Sequence, residues 1–242
     1  MKKMVKQWIE VIVLIIILAL FICNFEVLKP HLYKFFGTSM AGDTKFSLLT
    51  LTLEHLEVVF YSSFFAVFIG MAGVFSMTKA GAEFRGIFEK LTYLGQMIPT
   101  IAILTFMVSF TGFGSKPAIV ALIIFGILPI YVSTVTGIES VPKDILEVAD
   151  SVGMNVWQRL RMVIFPYALP VIISGLRTAL IINISAATLS YQVGGGGLGV
   201  LLFSSLKSRN NVFIFEGTVT ICLLAIITDR ILKNIEEMLV LK

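Results

Sequence analysis

Few residues of this 242-residue chain have types and spacing that could do chemistry. Gly194, Gly196 and Gly199 satisfy G-x-G-x-x-G, the pattern that cradles a dinucleotide pyrophosphate. They follow an apolar run and not a strand, so a tight turn is the better reading. The pattern G-x-x-x-x-G-K-[ST] does not occur, so this chain cannot supply an ATPase site of that kind. Glu54, His55 and Glu57 open another apolar run. Two readings stand for them: a metal or proton site, and a solvated helix start whose carboxylates suit the positive helix end. Arg177 lies inside an apolar run, either as a buried functional charge or as a side chain reaching water. Glu216 and Asp229 fall near opposite ends of the last run, where charges reach water. Cys23 and Cys222 stand alone in apolar runs and are expected to be small buried residues. No pair of residues on one face suggests catalysis.

The polar stretch from Val141 to Pro166 is the most informative. Pro142 suits a helix start, and Asp144 and Glu147 fall near its positive end. Ile145, Val148, Ala149 and Val152 form one apolar side, and Gly153 ends the helix. Asn155 is placed to cap a second helix from Val156 to Val163, which Pro166 interrupts. A helix lying on lipid would carry Lys and Arg opposite large apolar residues. The first half here is small and acidic, which favours docking into a groove on a soluble partner.

The remaining elements must hold that stretch in place. The chain is 57% hydrophobic and 14% charged, with a mean hydropathy of +0.94. A soluble domain of this size could not hide so much apolar surface. Composition excludes a disordered chain, a nucleic-acid-binding domain and an ordinary cytosolic enzyme, and leaves a polytopic membrane protein. Six spans of about 20 residues are expected. They run near Trp8–Phe25, Leu48–Met77, Ile87–Phe110, Ala118–Ile138, Ala168–Tyr191 and Val212–Ile231. With the N-terminus cytoplasmic, twelve of the 19 Lys and Arg residues lie inside and six outside, with Arg177 in a span. That bias puts both termini inside. Lys2, Lys3 and Lys6 before an apolar run suggest a signal peptide, but no small-residue cleavage site follows, so a retained helix is expected. One membrane domain covers residues 1–242: an N-terminal helix and outer loop at 1–47, a core at 48–235, and a cytoplasmic loop at 139–166 within it.

The loop resembles the EAA loop of ABC importer permeases, in which Glu-Ala-Ala precedes Gly by three residues and Ile-x-Leu-Pro follows nine later. Glu147, Val148 and Ala149 occupy the first positions, and Gly153 and Pro166 fall at the family spacing. Val148 replaces the first Ala, and Val163 and Phe165 stand for Ile and Leu. The resemblance implies an all-α, type I ABC importer (MetI-like) permease fold. It makes Glu147, Ala149, Asp150, Gly153, Met154 and Pro166 the positions that couple to a separate ATPase. It further implies a second permease copy, identical or related, and an external substrate-binding protein. ATP and Mg would sit on the ATPase, with no cofactor in this chain and no nucleic acid among its partners. The location is a bacterial plasma or inner membrane, crossed several times.

Gln96-Met-Ile-Pro-Thr-Ile-Ala-Ile-Leu, Gly112-Phe-Gly-Ser-Lys-Pro-Ala and Leu169-Pro-Val-Ile-Ile-Ser-Gly-Leu-Arg-Thr-Ala are similar to permeases for glycine betaine, carnitine and choline. So is the glycine run before Leu198-Gly199. Methionine permeases share a Gly-Gly-Leu-Gly ending, so an importer of methionine or another small amino-acid-like solute is the alternative. A self-contained secondary transporter would need intramembrane carboxylates or an inverted repeat, and the sequence has neither. Gln96, Pro99, Thr100, Asn183, Thr188, Tyr191 and Gly195 are the pore or gate candidates. Helix packing is the alternative for the polar ones. Tyr191, Phe106 and Phe110 offer ring faces to a quaternary ammonium.

Overall fold

A computed structural model describes residues 2–37, 47–72 and 79–240, and every regular element among them is helical. In lipid each backbone N–H and C=O needs a partner within the protein, and long apolar helices meet that condition. The chain forms α1 (Lys2–Phe36), α2 (Leu48–Gly70), α3 (Lys79–Met97), α4 (Thr100–Thr111) and α5 (Ser115–Glu139). It continues through α6 (Lys143–Ser151), α7 (Val156–Arg159), α8 (Phe165–Ala186), α9 (Gly199–Ser208) and α10 (Asn211–Val240). Five helical stretches are long and apolar enough to cross a membrane, and α3 with α4 makes a sixth if that bent pair is one span.

The expected third span is the main departure. It breaks at Ile98-Pro99 and bends by 101°. Pro99 has no N–H to continue α3 and disfavours helical geometry at Ile98. Its carbonyl instead accepts from the Ala102 and Ile103 N–H groups and starts α4. Arg85 in the first half of α3 bonds Glu139 at the end of α5, and α4 finishes where α5 begins, so the bent pair reaches both ends of α5. The second, fourth, fifth and sixth spans start within three residues of expectation, whereas α1 starts at Lys2, six residues before Trp8. α1 runs on to Phe36 through Pro30, α10 runs on to Val240, and α9 was not expected as a helix. Residues 73–77 of the expected second span, with Lys45 and Lys242 of the charge count, lie outside the described residues.

The core is apolar but holds many polar side chains, and large apolar side chains line the outside. Thr52, His55, Ser62, Ser63, Thr134, Asn183 and Thr220 are buried, while Ile12, Ile16, Phe60, Phe64 and Phe68 face outward. His55 and the Asn183–Ser63 pair bond between helices, Thr52, Ser62, Thr134 and Thr220 donate to carbonyls of their own helices, and the outer apolar rings suit lipid or a partner helix. α5 is central and packs on α8 and α2. The α5–α8 seam is close enough at Gly175 that an added Cβ would lie 2.4 Å from Ser133 Cβ. Cys23 and Cys222 are exposed on the bundle surface, contrary to the buried reading, because each lies on the outward side of its helix. Glu216 is buried at 4% exposure, and so does not reach water as expected.

Two ends of the bundle are distinct. Gln7 of α1 donates to Glu237 of α10 at 2.7 Å, so the two termini lie together. α8 starts beside α6 and runs antiparallel to α10. Both termini therefore share an end with α6.

Candidate coupling platform and glycine turn

At the α6 end, Pro142 caps the first turn and Asp144 sits within it. The helix closes on Gly153, with φ +74°. Met154 N–H reaches the Ala149 carbonyl at 3.1 Å and Gly153 N–H the Asp150 carbonyl at 3.0 Å. This Schellman closure needs a left-handed residue, which explains the glycine. Nothing lies within 4 Å of a Cβ at Gly153, so backbone conformation alone sets the requirement. Asn155 and Gln158 form a capping box for α7. Arg159 pairs with Asp150 at 2.6 Å and clips α7 against α6.

Pro166 does not interrupt the second helix. A π-turn at Leu160–Ile164 shifts the register, and Phe165 N–H bonds the Leu160 carbonyl. Pro166 then falls in the first turn of α8, where no N–H is needed.

The platform sorts the coupling candidates. Glu147 is exposed, and its carboxylate makes no hydrogen bond or ion pair with another described residue. Ala149 is buried at 3% exposure, on the side of α6 away from solvent. Asp150 is held within the loop by Arg159. Val148 and Val152, grouped with Ala149 on one apolar side by the sequence, point outward at 63% and 66% exposure. Val156, Trp157 and Met162 extend that apolar surface, and Trp157 and Met162 line a cleft of about 490 Å³. Sequence reading missed Trp157 and Met162. Their signal was large apolar residues in a stretch too polar to span.

At the opposite end, a 3-10 turn at Ala187–Val193 extends α8 into the glycine run. Gly194, Gly196 and Gly197 take positive φ. Gly197 N–H donates to Glu54 Oε2 at 2.9 Å, and Gly114 N–H to the Val193 carbonyl at 2.7 Å. Ser190 Oγ donates to the Gly196 carbonyl, and Gly195 N–H to the Ser190 carbonyl. The glycine turn is thus fastened to α2 and to the start of α5.

Glu54 is a fastener there, and His55 beneath it is buried, with Nε2 2.9 Å from the Ile184 carbonyl. Neither matches a solvated helix start; only Glu57 is fully exposed. Among the described residues no cluster of three His, Cys, Asp or Glu could hold a metal.

The pore candidates do not converge on one site. Gln96 donates to the Phe125 carbonyl at 3.0 Å and ties α3 to α5. Asn183 is fully buried and donates to Ser63 Oγ at 3.1 Å, joining α8 to α2. Thr188 donates to the Ser185 carbonyl within its own turn. Pro99 and Thr100 form the α3–α4 elbow, and Gly195 lies within the glycine turn. Tyr191 stacks on Phe203 of α9, with centroids 5.9 Å apart and planes within 1°. Phe106 and Phe110 face outward from α4. Arg177 is neither isolated nor free: its guanidinium bonds Asp229 and Glu236 of α10, each at 3.2 Å.

Residues 65–239 match the family described as binding-protein-dependent transport system inner membrane component. The chain is 34% identical over 224 residues to the osmoprotectant import permease protein OsmY of Salmonella typhimurium, covering 91% of this chain and 89% of that one. It is 39% identical over 193 residues to the glycine betaine/carnitine/choline transport system permease protein OpuCB of Bacillus subtilis, covering 78% and 87%. Among solved structures, the inward-facing MetNI methionine ABC transporter matches with a TM-score of 0.73 at 24% identity, over 79% of this chain and 95% of that chain. The fold is that of type I importer permeases.

Proposed function

We propose, from the premise that this chain belongs to the family of binding-protein-dependent transport system inner membrane components, that it forms the translocation path of an ATP-driven importer for quaternary ammonium osmoprotectants. The observation that carries the coupling part is the exposed face of Glu147, Val148, Val152, Val156 and Trp157. An apolar patch on the loop least suited to lipid needs a protein partner. We assign that partner as a separate ATPase subunit. Closure of two ATPases would push the α6–α7 platforms of two permease copies together. The rigid link through Arg159–Asp150 and the π-turn would carry the movement into α8. The α6 end, with both termini, is the cytoplasmic one. A binding protein would deliver solute at the glycine-turn end.

Glycine betaine, choline and carnitine are the favoured solutes, as named for the relatives. Methionine is disfavoured, because the likeness to its transporter is one of fold. Reconstituted with its ATPase and binding protein, the complex should import labelled glycine betaine and not methionine. Glu147→Lys should leave insertion intact and uncouple ATP hydrolysis from import. Unchanged import in Glu147→Lys would sink the coupling assignment.

A further inference from the structure

The solute-side end holds a cleft that the coupling scheme does not use. Tyr191 and Gln192 of the 3-10 turn and Phe203, Leu206 and Lys207 of α9 line a volume of about 540 Å³. That size falls in the range of small-molecule sites, about 300–1,000 Å³. Both walls are fixed from behind. A Cβ at Gly199 would sit 1.9 Å from the Thr188 carbonyl, so the first turn of α9 is seated directly on the 3-10 turn. Glu54, Ser190 and Gly114 fasten the chain between the walls. Little ordering cost therefore remains when a ligand enters.

The lining combines two chemistries. Tyr191 and Phe203 bring parallel, stacked rings to the lining, and a quaternary ammonium within about 6 Å of a ring centroid is attracted by the ring quadrupole. Lys207 is exposed at the last turn of α9 and supplies a positive charge to the same cleft. A simple cation gains at the rings and loses at Lys207. A zwitterion carrying a quaternary ammonium and a carboxylate gains at both, and the Gln192 amide adds a neutral hydrogen-bonding group.

We infer that this cleft is a second, low-affinity selection site on the permease itself, and that it takes betaine-type zwitterions in preference to choline-type cations. The inference rests on the osmoprotectant reading above and adds a ranking within it. Tyr191 and Phe203 hold the ammonium group, and Lys207 sets the preference.

The test uses the permease–ATPase complex in nanodiscs without binding protein, dialysed to equilibrium against labelled glycine betaine or choline. Glycine betaine should bind saturably and choline more weakly. Phe203→Leu should weaken glycine betaine by about threefold or more. Lys207→Glu should weaken glycine betaine about fivefold and strengthen choline about as much, with Lys207→Gln between. Thermal stability of each variant at the wild-type level shows that the cleft and not the fold was altered. A wild-type complex that imports betaine but shows no saturable binding would overturn the site. So would an unchanged ranking in a folded Lys207→Glu complex. If the wild-type complex imports no quaternary ammonium solute at all, the transport reading itself fails.

Discussion

Replacing Gly175 by alanine puts a methyl group into the α5–α8 seam. Its Cβ would lie 2.4 Å from Ser133 Cβ, 2.3 Å from Ser133 Oγ and 2.7 Å from the Pro129 carbonyl. Carbon atoms rest at about 3.5–4.0 Å, so the helices must separate by about 1 Å at this level. Rotating Ser133 removes the Oγ clash, but its Cβ and the Pro129 carbonyl stay with the backbone. Overpacking of this severity sits near the top of the usual range, about 3 kcal/mol. Alanine recovers about 1 kcal/mol through better helix propensity. The net loss is about 2 kcal/mol, or about thirtyfold in the folding equilibrium. Thermal unfolding of the purified protein in nanodiscs reads it. Ser133→Gly in the Gly175→Ala background removes two of the three contacts and should restore more than half of the loss. A Gly175→Ala protein as stable as wild type would refute the seam's tightness. Strictly additive effects of the two substitutions would refute Ser133 as the obstacle.

Removing the carboxylate in Glu54→Ala takes away a charge-assisted bond of about 1.5–3 kcal/mol. Hydrogen exchange across 194–199 should then accelerate, while Glu54→Gln, which keeps an acceptor, falls between. Arg177→Gln leaves Asp229 and Glu236 facing each other without their cation. Because all three are about one-third exposed, a loss of about 1 kcal/mol in thermal stability is expected. Exchanging the Arg177 and Asp229 charges should recover part of it. With Cys23 and Cys222 replaced, Val148→Cys should be labelled only from the cytoplasm and Ser208→Cys only from outside. Same-side labelling would overturn the orientation.

How far the sequence reached depended on what each feature needed in order to be read. Element type was legible because long apolar runs in lipid have one simple solution. The closure of α6 was legible too, since Pro142 and Gly153 act through local backbone geometry. The bend at Ile98-Pro99 was not read, because apolarity continues through it and only Pro99 marks the break. That Val148 and Val152 part from Ala149 was not legible either. Ala149 and Val148 are neighbours of similar apolarity, and only tertiary packing buries one and exposes the other. Long-range pairs such as Glu54–Gly197 and Arg177–Glu236 lay beyond reach, because nothing local names a partner 143 or 59 residues away.

Arg177 also bears on the order in which the protein is made. Its two acidic partners lie on α10, which is synthesised after α8. A lone arginine near the middle of an inserting helix costs about 2.5–3.5 kcal/mol. During synthesis of the 59 residues from Arg177 to Glu236, which takes several seconds at about 5–20 residues per second, α8 holds that charge without them. It is expected to sit shallow meanwhile, with the guanidinium drawn to the aqueous surface. A chain truncated before Asp229 should keep α8 in that shallow position, measurable as greater aqueous labelling of cysteines in its first turns. The chain that carries Asp229 and Glu236 should show less of that labelling, because the paired guanidinium no longer needs the aqueous surface.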